Sequence, residues 1–391
     1  IFSPLKGTRD IYNMTATTIS DTKEYELKHR GKIKRLTNNT FKFDQRIGDG
    51  WFSAVYFLKT AEIAKTCAPD RIVTMQFFQR KNGAVLCGID EAISLLHTFA
   101  HNPEKLEIWA LNDGDRIDAF ETVLTITGSY QDFGFLEGII DGTLARRTSV
   151  ATHVLEVVES AGDKEIIFMG DRDDHFSQQA GDGYAAFIGG STAQATHAMN
   201  EWWGIEGLGT MPHALVQLFN GDTLEAAKAY HKTFPNDKLM VLVDYNNDAI
   251  EESLRVARHF GEKLSAVRVD TSNTMVDQYF MRNQDKLGTF DPRGTNPTLI
   301  FALREALDAE GFTNVKIVVS GGFNAEKIST FEAQNTPVDI YGVGSSLLKV
   351  NISFTGDNVL LDGVEQAKAG RKYRPNPRLE RVLYNDNIVK E

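Results

Sequence analysis

The sequence predicts an α/β protein, an irregular (β/α) barrel with an N-terminal α/β (α+β) domain, and three observations carry that reading. From about residue 142 onward, short apolar runs rich in β-branched residues alternate with stretches of helical periodicity, the pattern of repeated strand–helix units around a parallel sheet. Seven such units in about 200 residues suit a barrel better than an open sheet with a dinucleotide crevice, and no G-x-G-x-x-G segment follows an early strand. Nearly every run also ends in glycine or in a polar group suited to an anion, as expected where parallel strand ends gather on one face.

Taken in order, residues 1–141 read as the separate α+β domain. A helical stretch at 52–65 and a helix at 89–99 are interleaved with strand-like runs at 72–80, 106–109 and 122–127. The barrel, residues 142–350, has its apolar runs at 165–170, 185–190, 207–211, 239–245, 266–271, 315–322 and 338–345. Helix candidates lie between them at 223–232, 248–260, 298–310 and 325–332. In 248–260 the 3.6-residue period puts Ile250, Leu254 and Ala257 on one stripe and leaves Glu251, Glu252 and Arg255 to water. After Asn351 the pattern is irregular, and the basic stretch 371–378 predicts a C-terminal extension, 351–391, that folds back on the N-terminal domain.

The 391 residues suffice for about two domains. With 42 basic against 53 acidic residues the formal charge is −11, so there is no basic excess for a nucleic-acid backbone or an anionic membrane. An anionic substrate must meet a local cluster of cations. The only cysteines, Cys67 and Cys87, form no disulfide framework and no structural zinc motif, which predicts a reducing, cytoplasmic setting. No apolar run approaches the roughly 18 to 20 residues of a membrane span, and the polar opening at 6–10 lacks a signal-peptide core.

The strand ends are, in order, Gly170-Asp171-Arg172, Gly189-Gly190, the segment from Gly209 to His213, Asp244, Arg268 with Asp270, Ser320-Gly321-Gly322, and Gly342 to Ser346. Glycines ending the last two strands let backbone N–H groups approach phosphate oxygens, although either pair alone would more often serve a tight turn. Arg268 and Asp270, two residues apart on a strand, point the same way, as a substrate contact or as an internal ion pair. Asp244 could hold magnesium, directly or through water, bind a ribose hydroxyl, or cap a helix. His213, just past a strand end, could act as acid, base or phosphate acceptor, or be structural. No lysine occupies a strand end, which disfavours an aldolase-like or isomerase-like barrel.

The segment Gly209-Thr210-Met211-Pro212-His213-Ala214 resembles the G-T-x-x-H hallmark of nicotinate phosphoribosyltransferases. Other segments resemble family motifs in the family's order: Val55-Tyr56-Phe57, Glu137 with 149–152, 185–190, 267–271, Ser320-Gly321-Gly322 and 341–345. The resemblance spans roughly residues 49 to 346. It implies the type II phosphoribosyltransferase fold and a homodimer with each active site near the partner's N-terminal domain. The implied reaction forms nicotinate mononucleotide and pyrophosphate from nicotinate and 5-phosphoribosyl 1-pyrophosphate, for NAD biosynthesis. ATP hydrolysis would be coupled through a phosphohistidine at His213, with magnesium as cofactor. By the same resemblance Tyr56 stacks on the pyridine ring, Arg172 contacts the ring or its carboxylate, and Arg268 assists carboxylate or phosphate placement. Thr210 lies in the hallmark segment. Ser320, Gly321, Gly322, Gly342, Gly344 and Ser345 hold the 5′-phosphate, and Asp244 and Asp270 orient ribose hydroxyls or magnesium.

Three positions depart from the family pattern. Asp173 stands where a second arginine is common, Ala54 where an acidic residue precedes the tyrosine, and Thr192 lies in a segment that commonly carries an acid. They leave two alternatives to nicotinate transfer: a nicotinamide- or quinolinate-using enzyme, or a weakly catalytic phosphosugar-binding paralogue.

Overall fold

A computed structural model describes residues 34–384, so the opening stretch 6–10 and the two chain ends lie outside the described residues. Helix α1 (Val55–Cys67) precedes strand β1 (Ile72–Phe78), helix α2 (Ile89–Phe99), and strands β2 (Glu107–Ala110) and β3 (Leu124–Ser129). The three strands are antiparallel and place Met75, Phe77, Ile108, Leu124 and Ile126 in one core with Ile93 and Leu96 of α2.

After a short helical turn at 130–136 comes a 25-residue helix, α3 (Glu137–Ala161), which crosses the expected 141/142 boundary without a break. Its first turns, with Ile140 and Leu144, belong to the core of the antiparallel sheet, whereas Val150, Val154 and Val157 pack into that of the parallel sheet. Its buried hydroxyls satisfy backbone donors that no ladder reaches: Thr148 and Thr152 accept from the N–H groups of Cys87 and Val85 at 3.1 and 3.0 Å, and Ser149 from that of Ile352 at 3.0 Å. The motif at 149–152 thus ties together the segments that flank both sheets.

Six parallel strands follow: β4 (Glu165–Phe168), β5 (Ala193–Gln194), β6 (Leu239–Leu242), β7 (Leu264–Val269), β8 (Lys316–Val319) and β9 (Ile340–Val343). Their order, β5-β4-β9-β8-β7-β6, is that of a sheet curled into a half-barrel. Side chains alternate across it: Ile167, Met240, Ala266, Val318 and Ile340 form a small inner cluster, while Ile166, Phe168, Val241, Val267 and Val319 join the large core under the helices. Each such aliphatic side chain contributes about 1.5–3 kcal/mol on full burial.

The four predicted barrel helices are present as α6 to α9, once α4 (Gln179–Gly189) and the short α5 (His213–Leu218) are counted. They are α6 (Thr223–Thr233), α7 (Ala249–Phe260), α8 (Pro297–Ala309) and α9 (Ala325–Ala333). Asp222, Asn296 and Asn324 cap α6, α8 and α9 through side-chain oxygens, and Pro297 supplies the first-turn φ of α8. In α7 the predicted stripe Ile250, Leu254 and Ala257 is buried.

Two expected strands need correction. Residues 185–190 form the end of α4, not a strand, and Gly190, at φ 102°, stops that helix; the strand is the adjacent Ala193–Gln194. Gly189 is required for close packing on α3, since a Cβ there would lie 2.5 Å from the Ala151 carbonyl oxygen. Residues 207–211 are irregular, although the Leu208 N–H donates to the Gln194 carbonyl at 2.8 Å, along the edge of the curl.

The chain then returns to the antiparallel sheet as β10 (Thr355–Leu361), β11 (Val364–Glu365) and β12 (Glu380–Val382). The sheet order is β11-β10-β1-β3-β2-β12. Gln76 of β1 holds the basic tail, donating to the Lys372 carbonyl at 2.9 Å and accepting the Arg374 N–H at 3.0 Å.

Candidate active site

The C-terminal ends of β4, β7, β8 and β9 open into a cavity of about 390 Å³. Its apolar floor is Ile167, Met169 and Leu208, the upper part of the inner cluster. Its wall carries predicted site residues from five segments: Arg172, Thr210, Arg268 with Asp270, Ser320 with Gly321 and Gly322, and Gly342 with Gly344 and Ser345.

The cavity's hydrogen-bonding capacity is unspent. Arg268 projects from β7 to the inner side with its side chain 13% exposed, yet its nearest carboxylate contact, to Asp270, is only 4.0 Å long. Its buried Nε has no partner, and neither have the shielded hydroxyls of Ser320 and Thr210. Burial lowers the pKa of Arg268 against the pull of Asp270 and Asp244, and the nearby Arg172 charge lowers it further. A buried guanidinium without a close carboxylate is costly unless an anion completes it. The internal-ion-pair reading of Arg268 and Asp270 therefore accounts poorly for this geometry.

Gly321 and Gly322 have φ of 90° and 67°, which L side chains adopt only under strain, and their N–H groups find no protein acceptor among the described residues. Gly344 is needed for a different reason: a Cβ would come within 2.8 Å of the Met169 carbonyl oxygen and 2.9 Å of Asp173 Oδ2. Ser346 knits the two glycine loops together by donating to the Phe323 carbonyl at 2.9 Å. The pair of loops thus presents backbone donors from β8 and β9 on one side of the cavity, an arrangement suited to phosphate.

His213 opens α5, and its Nε2 lies 3.3 Å from Asp244 Oδ1. The other oxygen of Asp244 accepts the Asp270 N–H at 3.0 Å and faces the Thr271 hydroxyl at 3.4 Å. Burial raises the Asp244 pKa; His213 opposes that shift and Asp270 adds to it. Asp244 therefore sits behind His213, a pairing that the sequence did not indicate. Among the described residues no cluster of three or more His, Cys, Asp or Glu side chains could hold a metal ion. Asp270 faces the open cavity, whereas Asp244 is held through Oδ2 and has its buried Oδ1 without a hydrogen-bond partner, 3.3 Å from His213 Nε2.

Several positions singled out in the sequence do not line the cavity: His213 and Asp244 lie beside its wall, which includes Pro212 and Asp270, and Tyr56 and Thr192 are not part of it either. Tyr56 is 64% exposed on α1, no residue of which is buried, and the cavity wall does not include it. Thr192 is buried and donates to the Ile166 carbonyl at 3.0 Å, a structural bond. Asp173, by contrast, lines the cavity with Asp171, so Arg172 and Arg268 share it with three carboxylates, counting Asp270.

Residues 54–148 match the family described as quinolinate phosphoribosyl transferase, N-terminal domain. A nicotinate phosphoribosyltransferase of Mycobacterium tuberculosis is 28% identical over 271 residues, which cover 66% of this chain and 54% of that protein. One of Bacillus subtilis is 24% identical over 304 residues, covering 70% and 57%. The chain spans about half the length of these curated relatives. Among solved structures, nicotinate-nucleotide pyrophosphorylase from Pyrococcus furiosus is similar at a TM-score of 0.75 and 28% identity, over 91% of this chain and 88% of that one. Human nicotinic acid phosphoribosyltransferase, at a TM-score of 0.61 and 16% identity over 80% and 75% of the two chains, shares the fold.

Proposed function

We propose that this chain, which belongs to the type II phosphoribosyltransferase family, joins nicotinate to the phosphoribosyl group of 5-phosphoribosyl 1-pyrophosphate. The observation that carries the reading is the cavity itself, where a buried under-paired Arg268, two unpartnered hydroxyls and two glycine loops face one volume at the strand ends. The pyridine nitrogen attacks the anomeric carbon, the bond to pyrophosphate breaks with its electron pair leaving on oxygen, and nicotinate mononucleotide forms. As the sugar carbon becomes cationic and pyrophosphate departs, Arg268 and Arg172 supply fixed positive charge to the anionic ends. The β8 and β9 loops hold the 5′-phosphate, and Asp270 faces the ribose.

Magnesium would supply charge neutralisation for the pyrophosphate; Asp270, which faces the cavity, would be the carboxylate to hold it, with Asp244 behind, and among the described residues no cluster of three or more ligands forms a site of its own, so the ion would arrive with the phosphates. His213, with Asp244 behind it, is the acceptor for the γ-phosphate of ATP.

Three carboxylates around two arginines favour a base with one carboxylate over quinolinate with two. Turnover of nicotinate, nicotinamide and quinolinate, each with 5-phosphoribosyl 1-pyrophosphate and with ATP and magnesium present or absent, tests the reading. Nicotinate should be the preferred base and ATP should stimulate. Failure to form nicotinate mononucleotide would reject the proposal, and faster turnover of quinolinate would reassign the base.

The same reading makes the protein a homodimer. Trp51, Phe52, Val55, Tyr56 and Ile63 on and before α1 are all exposed, an apolar face that a second copy would cover while bringing Tyr56 to the neighbouring site. Sedimentation should give twice the chain mass. Tyr56→Ala should raise the KM for nicotinate about tenfold with little change for the sugar substrate; a monomer with full activity would overturn this arrangement.

A further inference from the structure

Lys327 is the third residue of α9, and its half-buried side chain runs back over the aromatic rings beneath the helix rather than straight out to water as lysines on helix ends ordinarily do. Its ammonium lies 4.1 Å from the ring centre of Phe323 and 5.9 Å from that of Phe331, and it donates to the Gly321 carbonyl at 3.4 Å. Among the described residues no carboxylate pairs with it. Burial accordingly lowers its pKa, with no opposing charge. Two ring faces and one carbonyl offset only part of the cost of burying a cation. Gly321 and Phe323 both line the cavity, so the charge stands directly behind the wall where the β8 loop meets an anion.

The peptide joining Gly321 to Gly322 is planar and trans, so its C=O and N–H point in opposite directions. With the Gly321 carbonyl held toward Lys327, the Gly322 N–H is turned away from Lys327, and Gly322 itself lines the cavity. We propose that Lys327 is a positioning residue for the sugar phosphate: it pins this peptide with its donor facing the ligand and adds a positive charge behind it. The inference rests on the phosphate reading of the β8 and β9 loops.

The test uses ribose 5-phosphate as probe, measured by calorimetry on the full chain, together with the KM values of both substrates. Lys327→Met keeps the apolar stem between the rings and removes the charge. Ribose 5-phosphate binding should weaken roughly tenfold, with the KM for 5-phosphoribosyl 1-pyrophosphate rising in parallel and that for nicotinate unchanged. Lys327→Arg should recover part of the loss. Should Lys327→Met lower the melting temperature while leaving ribose 5-phosphate binding intact, the residue is a staple for α9 and the proposal falls. Should the unaltered chain fail to bind ribose 5-phosphate, the phosphate reading fails first, and this inference with it.

Discussion

Replacing Arg268 by alanine is expected to lower kcat/KM by about a hundred- to a thousandfold while leaving the melting temperature unchanged or slightly raised. The two expectations together separate a substrate-facing cation from a structural one. If Arg268 were half of an internal ion pair, its loss would strand Asp270 and destabilise the protein by about 3 kcal/mol or more. The 4.0 Å separation, the unpartnered Nε and the lowered pKa instead describe a guanidinium whose burial is offset only when an anion arrives. Removing it relieves a cost in the free protein and forfeits a charge-assisted contact in the complex. Arg268→Lys should recover only a small part, because an ammonium cannot reproduce the planar fork. Thermal unfolding and steady-state kinetics on the same preparations decide it: a marked loss of stability with modest loss of activity would return Arg268 to the ion-pair reading.

What the sequence made legible follows from how far each signal reaches. The helix α7 was visible because its apolar stripe faces one core and its other side faces water. Strands β7 to β9 were visible because β-branched runs there end abruptly in glycine or charge. The run at 185–190 misled because α4 is enclosed on several sides, so no polar face interrupts it, and its glycines serve close packing; a Cβ at Gly183 would lie 2.0 Å from the Met199 carbonyl oxygen. The helix α3 drew no attention for a related reason, since it carries buried Thr148, Ser149 and Thr152 among its apolar residues and so lacks a clean stripe. Contacts between distant segments were the hardest to foresee. The fold-back of 351–391 was read from its basic stretch without the strand, β10, that pairs with β1, and the approach of Asp244 to His213 joins separated segments whose own residues carry no mark of the partner.

That last contact shapes the second large effect. His213→Ala should abolish stimulation by ATP and leave ATP-independent synthesis in place, because the imidazole stands beside the cavity wall at Pro212 and is not needed for the glycosidic bond to form. Asp244 gives this role its geometry. Anchored through Oδ2 to the Asp270 N–H, it places its unpartnered Oδ1 3.3 Å from His213 Nε2, where a proton on that nitrogen would be drawn to the carboxylate as a phosphoryl group joins Nδ1. Asp244→Asn preserves the shape but removes the charge that would stabilise the phosphorylated, cationic ring, so ATP stimulation should fall by about tenfold or more without loss of fold. Asp244→Ala goes further, leaving the Asp270 N–H without its acceptor and costing about 1–3 kcal/mol of stability. Acid-labile phosphate trapped on the protein from radiolabelled ATP reads the same chain of events directly: it should be present in the unaltered chain, reduced in Asp244→Asn and absent in His213→Ala. Undiminished ATP stimulation in His213→Ala would move the coupling step to another residue and leave the Asp244 pairing as an anchor for α5.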